Sequence, residues 1–334
     1  MLATRFLLRS MHYALWMLIV LGAFAVTDVA AQDEPLPSVV AEGAELVELA
    51  AGYGFVEGPS VDAAGALFFT DLGNGSINVL SPDGNASVYR SSRADAANGL
   101  AFDAQGRLHA CEGGSGRITR TETDGSVTVL AAEFAGARFN SPNDLALTRA
   151  GGMYFTDPFF GSSVAQPQPV TGVYYIGPDG QVALVAGDLD RPNGIVLSAD
   201  ESVLYVTNDN PVGVGEIWAF DVAADGALAN KWLFAAAARI MDGMALDVLG
   251  NLYAASFNQG NSSAGRGVWV FAPNGNSMGL IATPEQPSNC TIADGGLYIT
   301  ASKRVFAIDL HMANVDATVL QQRTWAQIKI TGVK

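Results

Sequence analysis

Residues 141–157 read SPNDLALTRAGGMYFTD, and five other stretches of the chain follow the same plan. Each begins with a side chain that carries a carbonyl or carboxylate oxygen and continues into a short apolar segment. A Gly-centred turn and a second apolar segment follow, a pattern typical of two short antiparallel strands. The first residues of the six copies are Glu57, Asn98, Asn143, Asn193, Asp242 and Asn289.

The spacing of the copies predicts the fold. Successive first residues are separated by 41, 45, 50, 49 and 47 positions, which is the length of one four-stranded blade in a radial repeat. Asp-Gly or Asn-Gly pairs, which are hairpin signals, recur between the copies and end at Gly84, Gly125, Gly180, Gly226 and Gly275. We therefore predict an all-β fold, a six-bladed β-propeller with four-stranded blades.

The last copy, which begins at Asn289, needs an outer strand from one end of the chain. Residues 44–50 and the tail from Thr318 are the two candidates. Because a closed ring leaves few exposed strand edges, we expect N- and C-terminal strands to close the ring. The N-terminal segment is the expected source of the outer strand.

Residues 1–31 are typical of a secretory signal peptide. A positively charged start precedes an uncharged apolar run from Tyr13 to Val26, and small residues end the segment at Ala31. A membrane anchor is the alternative, but a membrane span needs about 20 apolar residues, more than this run contains. We predict cleavage after Ala31, a periplasmic or secreted protein, and a single propeller domain at residues 32–334.

The net charge limits the partners of the protein. It is −15 for the whole chain, and removal of residues 1–31, which contain two Arg and one Asp, changes it to −16. Such an acidic surface argues against nucleic acid and against anionic membranes. We expect a monomer or weak oligomer that is not inserted in a membrane after cleavage. Cys111 and Cys290 lie in apolar strand contexts and are expected to be buried free thiols, with a disulfide as the alternative.

The six first residues predict a cation site, because equivalent positions of a radial repeat face one axis. A ring of carboxylate and amide oxygens suits a hard divalent cation, calcium before magnesium. Glu57 and Asp242 would balance its charge, Asn143 and Asn193 would add neutral oxygens, and other positions would stay open for water or substrate. Asn98 and Asn289 are then expected to contact the substrate or to support the ligands.

Each of these residues also has an ordinary explanation when it is taken alone. Asn98-Gly99 and Asn193-Gly194 are hairpin signals, Asn143-Asp144 is an Asx-turn signal, and Glu57 could be a solvated loop carboxylate. The shared phase of all six in one repeat favours the ring.

The sequence gives little support to other kinds of catalytic site. The chain has no phosphate loop or dinucleotide fingerprint. After residue 31 the only histidines are His109 and His311, which makes a Ser-His-Asp triad or a His-rich zinc site improbable. The long linker at residues 159–171 carries no strand pattern. It is either a solvated loop or a flap over the mouth of the channel.

The motifs around the ring also resemble a known family. They are Glu57-Gly58-Pro59, Asn98-Gly99-Leu100, Ser141-Pro142-Asn143-Asp144, Arg191-Pro192-Asn193-Gly194 and Asp242-Gly243-Met244. In these motifs the chain resembles the gluconolactonase, regucalcin and luciferin-regenerating-enzyme family of six-bladed propellers, over nearly all of the chain that follows the signal. The resemblance implies a divalent cation, usually calcium, at the channel mouth, held by residues that match Glu57, Asn143, Asn193 and Asp242. It also implies hydrolysis of sugar lactones, with some relatives that cleave organophosphates. One departure is Gly113, where bacterial sugar lactonases of this type often have His.

These observations lead to a functional hypothesis. We expect a metal-dependent lactonase that opens a sugar (aldono)lactone, with one divalent cation, Ca²⁺ first and Mg²⁺, Mn²⁺ or Zn²⁺ as alternatives. The cation would act as Lewis acid, and Asp242 as the catalytic general base. The alternatives are an organophosphate or ester hydrolase in the same pocket, and a non-catalytic propeller that binds calcium or a partner.

Overall fold

The computed structural model describes residues 36–161, 165–210, 213–237, 239–258 and 264–311. Within these ranges the chain forms 26 β-strands and no helix. Accordingly, no helix in the described part of the chain is long and apolar enough to cross a membrane. The predicted signal peptide at residues 1–31 and the tail from Thr318 lie outside the described residues.

The strands form six four-stranded antiparallel sheets, or blades, and one short hairpin between blades 2 and 3. Blade 1 consists of β2 (Val56–Val61), β3 (Leu67–Asp71), β4 (Ser76–Leu80) and β5 (Ala86–Ser91). Blade 2 consists of β6 (Ala97–Phe102), β7 (Leu108–Glu112), β8 (Arg117–Thr121) and β9 (Val127–Ala131). The hairpin is β10 (Glu133–Phe134) with β11 (Ala137–Arg138).

Blades 3 to 5 repeat the same order along the chain. Blade 3 consists of β12 (Leu145–Leu147), β13 (Met153–Asp157), β14 (Gly172–Ile176) and β15 (Val182–Ala186). Blade 4 consists of β16 (Pro192–Leu197), β17 (Val203–Asp209), β18 (Gly215–Val222) and β19 (Leu228–Ala237). Blade 5 consists of β20 (Ile240–Leu246), β21 (Leu252–Phe257), β22 (Gly267–Phe271) and β23 (Ser277–Ala282).

Blade 6 joins the two ends of the chain. It consists of β24 (Pro287–Ala293), β25 (Gly296–Ala301), β26 (Arg304–Asp309) and, as its outer strand, β1 (Val47–Ala51). The innermost strand of every blade contacts the innermost strands of both neighbours, and β24 contacts β2. The predicted six-bladed propeller and its closure by the N-terminal segment are therefore confirmed.

The predicted hairpin turns connect the third and fourth strands of blades 1 to 5. The five glycines of these turns adopt φ between +80° and +86°, a left-handed conformation that costs Gly little. In blade 1 the N–H of Gly84 donates to the carbonyl of Ser81 at 2.9 Å, and Ser81 in turn donates to Asn85 at 3.0 Å. The connection is therefore a three-residue loop with Gly at its left-handed position.

The hydrophobic core lies between the faces of adjacent blades. Its largest fully buried side chains include Tyr154, Tyr174 and Tyr253. Cys111 and Cys290 are both buried and free, as predicted, and they lie in different core clusters. Burial raises the pKa of both thiols.

Four of the innermost strands carry a β-bulge near the start of their repeat. Ala97 pairs with Glu112 and Leu100 with Ala110, so that β6 has one more residue than β7 between these pairs. The register of β2, β16 and β20 shifts at the same place. The bulges of β6, β16 and β20 contain the first residue of their copies, Asn98, Asn193 and Asp242, and reorient these side chains. Asn98-Gly99 and Asn193-Gly194 thus lie inside strands, and the hairpin explanation for them is wrong.

The glycine after the first residue allows neighbouring blades to approach closely. A Cβ atom on Gly194 would lie 2.4 Å from the carbonyl oxygen of Asp242 and 2.7 Å from the Cα atom of Gly243. A Cβ atom on Gly58 would lie 2.1 Å from the carbonyl oxygen of Asn98. Backbone atoms cannot turn away as a flexible side chain can, so the inner ring requires glycine at these places.

We predict that Gly194→Ala destabilises the protein by about 1–3 kcal/mol, the usual cost of overpacking. Gly296→Ala is the matched control, because it also lies in a strand and its added methyl group would meet nothing closer than 3.7 Å. Urea denaturation measures the free energy of unfolding of both variants. Equal midpoints for the two variants would contradict the close approach of blades 4 and 5.

Candidate active site

The innermost strands bring the predicted ring residues to one cavity of about 480 Å³. Such a volume is typical of a small-molecule site. Five of the six predicted residues line it: Glu57, Asn98, Asn143, Asn193 and Asp242. They come from blades 1 to 5, and the radial repeat places them together although up to 185 positions of sequence separate them.

Asn289, the sixth residue, is not among the described lining of this cavity. Its amide nitrogen donates to Asp144 Oδ2 at 3.3 Å and also bonds to the carboxyl group of Glu57. Its Oδ1 accepts the N–H of Cys290 at 2.8 Å. Asn289 therefore holds two carboxyl groups of the site, those of Glu57 and Asp144, in place.

Four carboxyl groups lie close enough to influence one another. Burial first, and then the neighbouring Glu57, Asp209 and Asp144, raise the pKa of Asp242 well above its ordinary value. Burial, with Asp144 as a further cause, raises the pKa of Glu57 to about 8. The four groups together form an acidic cluster that a cation would stabilise.

Asp144 is a member of this cluster that the sequence reasoning missed. It stands where four other copies have Gly, and its side chain is buried, with its Oδ1 accepting the N–H of Leu145 at 2.9 Å. Burial raises its pKa to about 6. The replacement of Gly by Asp within an otherwise regular repeat was the signal that could have found it.

Asp209 is the second member that was missed. It ends β17, lines the cavity, and has a pKa raised to about 6 by burial, with Arg191 acting in the opposite direction. Its Oδ1 is buried without a hydrogen-bond partner in the protein. The sequence offered only a weak signal, an Asp after the apolar run of the fourth copy.

Two asparagine oxygens in the ring are also unsatisfied. Asn98 Oδ1 and Asn193 Oδ1 are buried and accept no hydrogen bond from the protein, while the amide of Asn193 bonds to Asp242. Buried oxygens without donors are rare in folded proteins and point to a missing partner. A hard cation fits this set, because it binds carboxylate and amide oxygens together.

The described residues contain no cluster of three or more His, Cys, Asp or Glu side chains arranged to hold a metal by themselves. A cation at this place would thus depend on the asparagine oxygens as well as on Glu57 and Asp242. His109 and His311 do not belong to the described lining of the cavity. His109 Nε2 instead lies 3.1 Å from Asp103 Oδ2.

Hydroxyl groups at the ends of the second strands fix the ring. Thr156 Oγ1 donates to the carbonyl of Asn193 at 2.6 Å, and Thr207 Oγ1 donates to the carbonyl of Asp242 at 2.9 Å. Each bond links one blade to the first residue of the next copy. In blades 3 and 4 the Thr near the end of the apolar run therefore has a structural role between blades.

Carboxylates at the same strand ends hold the loops that lead into the ring. Asp71 accepts the N–H groups of Gly54 and Phe55, both at 3.0 Å. Asp157 accepts those of Asn140 and Ser141 at 2.8 and 2.7 Å. These bonds give the walls of the cavity a fixed backbone.

The linker at residues 159–171 combines features of both predicted alternatives. Near its start, Phe160 lines the cavity and is half exposed. Near its end, the amide of Gln168 donates to the carbonyls of Phe134 and Ala137 in the short hairpin, at 3.0 and 2.7 Å. The described parts of the linker thus contribute to the cavity wall and are anchored on the short hairpin between blades 2 and 3.

Comparison with known proteins gives consistent matches. The family model described as "SMP-30/Gluconolactonase/LRE-like region" matches residues 55–303. A gluconolactonase of Zymomonas mobilis is 32% identical over 250 residues, which cover 69% of this chain and 68% of that protein. Lactonase drp35 of Staphylococcus aureus is 29% identical over 242 residues, covering 69% of this chain and 70% of the relative.

Solved structures agree in the fold. A gluconolactonase from Xanthomonas campestris superposes with a TM-score of 0.74 at 35% identity, covering 85% of this chain and 97% of that one. A regucalcin from Agrobacterium tumefaciens, described as a calcium-binding protein, gives a TM-score of 0.64 at 17% identity and covers 79% and 93% of the two chains. At that identity the second likeness concerns the fold alone.

In protein kept free of divalent cations, we expect the free energy of unfolding to fall as the pH rises from about 5 to about 8. The pKa of Glu57 rises from an ordinary 4.5 to about 8 in the fold, so the folded state binds the proton more tightly. The stability from this proton is fully present below the ordinary pKa and is lost as the pH passes the raised one.

Urea denaturation in chelator at several pH values measures this dependence. Glu57→Gln should remove much of it, whereas Asp83→Asn, which changes an exposed turn carboxylate, should retain it. A stability that does not change between these pH values would contradict the acidic cluster.

Proposed function

The chain belongs to the SMP-30/gluconolactonase/LRE-like family and is a lactone-hydrolysing enzyme, and from this premise we propose that its central cavity is a metal-dependent lactonase site. The resemblance predicted from the five motifs is confirmed by the family match. The names of the relatives make sugar lactones the first substrates to consider. The finer assignments, which are the cation, its ligands and the proton acceptor, are our proposal.

One observation supports the proposed cation most directly. Three carboxyl groups and three asparagine amides line one cavity, and the oxygens of Asn98 and Asn193 are buried there without a donor. We assign Glu57, Asn143, Asn193 and Asp242 as the ligands. Calcium is the first choice because it accepts mixed carboxylate and amide oxygens and leaves positions open; Mg²⁺, Mn²⁺ and Zn²⁺ are the alternatives.

When bound, the cation would supply Lewis-acid stabilisation of the negative charge that develops on the lactone carbonyl oxygen. Side chains of the protein would carry out the proton transfers. Asp242 takes a proton from the attacking water, whose oxygen bonds to the carbonyl carbon. The bond between that carbon and the ring oxygen breaks, the proton held by Asp242 passes to the ring oxygen, and a hydroxy acid leaves.

The asparagines outside the ligand set have different tasks. Asn98, whose Oδ1 lacks a donor within the protein, would accept a hydrogen bond from a substrate hydroxyl. Asn289 is bonded to both Glu57 and Asp144, so we assign it to the orientation of these carboxyl groups and not to substrate contact. Of the two expected tasks, we thus assign substrate contact to Asn98 and support of the ligands to Asn289.

We also propose that the protein is exported, on the basis of residues 1–31. N-terminal sequencing of the protein from the periplasm or medium should then begin at Gln32. An unprocessed N-terminus in those fractions would contradict the proposed cleavage.

The first test is hydrolysis of a panel of aldonolactones by the mature protein from Gln32, followed as acid release. We expect no turnover in chelator and restored turnover with calcium or another divalent cation. No lactone turnover with any metal, in protein shown by calorimetry to bind calcium, would contradict the proposal. Turnover of phosphotriesters under the same conditions would then favour the organophosphatase alternative, and none would favour a binding protein.

A comparison of variants separates the role of Asp242 in proton transfer from its role in metal binding. Asp242→Asn should lower kcat by about 10²–10⁴-fold even at saturating calcium, because general-base catalysis contributes that much. Asn143→Ala should weaken calcium binding but recover turnover when calcium is raised. Asp83→Asn is the control and should match the wild type.

Near-full activity of Asp242→Asn with metal bound would contradict the general-base assignment. Labelled solvent oxygen found in the Asp242 carboxyl group after a single turnover would instead indicate a nucleophile.

A further inference from the structure

The cavity has a second part that the lactonase proposal leaves unexplained. Besides the polar ring, large apolar side chains line it, and we call them the apolar wall. They are Phe55, Leu72, Phe160, Ile240 and Phe257. A bare sugar lactone presents hydroxyl groups on most of its carbons and would gain little from such a surface.

The apolar wall does not belong to the hydrophobic core. None of its five residues is part of the six core clusters of the described chain. Phe55 is 37% exposed and Phe160 is 50% exposed, whereas Phe69, Phe139 and Phe155 in the core are fully buried. Large apolar side chains left partly exposed around a cavity mark a surface that a ligand covers.

The wall comes from alternate blades of the ring. Blade 1 supplies Phe55 and Leu72, blade 5 supplies Ile240 and Phe257, and the linker after β13 in blade 3 supplies Phe160. Between them, blade 2 contributes Gly113 and Gly114, and blade 4 contributes the charged Arg191 and Asp209. Apolar groups thus approach the cavity from three sides.

Most of the wall is held by short backbone bonds. Phe55 N–H donates to Asp71 Oδ1 at 3.0 Å, and Leu72 N–H donates to the carbonyl of Phe55 at 2.8 Å. Ile240 and Phe257 are cross-strand partners in blade 5. A preformed wall binds an apolar group without the cost of ordering side chains or loops.

We propose that the preferred substrate is a lactone that carries an apolar substituent, such as an alkyl chain, which lies against the apolar wall while the lactone carbonyl faces the polar ring. This inference rests on the proposed lactonase activity and extends it in substrate class. The reaction is the same hydrolysis, so water remains the one co-reactant.

The test is a series of γ-lactones from the unsubstituted ring to the methyl-, butyl- and hexyl-substituted rings, with an aldonolactone alongside and calcium present. We expect kcat/KM to rise with chain length, by about fourfold for each methylene that becomes buried. The longest members should exceed the aldonolactone. A flat or falling series, with the aldonolactone fastest, would overturn the inference while leaving the lactonase activity in place.

Variants identify the surface responsible. The double change Phe55→Ala with Phe160→Ala removes two exposed rings and leaves the core untouched, and it should lower kcat/KM for the hexyl lactone by at least about tenfold. The unsubstituted lactone should change little. Leu249→Ala, at a residue 55% exposed outside the cavity lining, is the control. An equal loss for all lactones would overturn the assignment to the apolar wall.

Binding provides a measurement that does not need turnover. γ-Alkyl lactams, which resist hydrolysis, should bind more tightly as the chain lengthens, and calorimetry should show a negative heat-capacity change. The double variant should lose this dependence. If lactam binding tightened with chain length but no lactone were hydrolysed, the lactonase proposal would be contradicted and the binding of an apolar ligand supported. Lactam binding that did not depend on chain length would overturn the inference itself.

Discussion

The close approach of neighbouring innermost strands is the constraint on which the rest of this molecule depends. Glycines such as Gly194 bring the backbone of one blade against the first residue of the next copy. Threonine hydroxyls then bond across the same gap, as Thr207 does to the carbonyl of Asp242. Where glycine and hydroxyl act together, as between blades 4 and 5, the innermost strands lie close to one another, and five of the ring side chains line a single cavity.

A narrow ring of this kind has an electrostatic cost. Glu57, Asp144, Asp209 and Asp242 are all buried, and desolvation is the largest cause of the raised pKa of each. Such groups are stable in the folded protein only if a positive charge accompanies the carboxylate or a proton neutralises it. The proposed cation would meet this need, and the same carboxyl groups would then be available for chemistry. In the metal-free protein the burial of these carboxyl groups therefore lowers stability, and the proposed cation would offset that cost.

Two kinds of structure form the cavity. The polar ring is built on the innermost strands, where the repeat and the bonds between blades leave little freedom. The apolar wall is built from residues at strand ends and from the linker after β13, where insertions and substitutions are tolerated. A propeller can therefore keep one reactive centre while its loops change the group that lies beside it.

The amino-acid sequence by itself determined the six copies, their four-stranded blades, the closure by the N-terminal segment and five of the residues that line the cavity. These follow from local periodicity, which a chain displays before it folds. Only the tertiary structure decided that Asp144 and Asp209 join the acidic cluster, that Asn289 holds carboxyl groups in place, and that Phe55, Phe160 and Phe257 share one wall. Those relations depend on distances between residues far apart in the chain, and no repeat pattern records such distances.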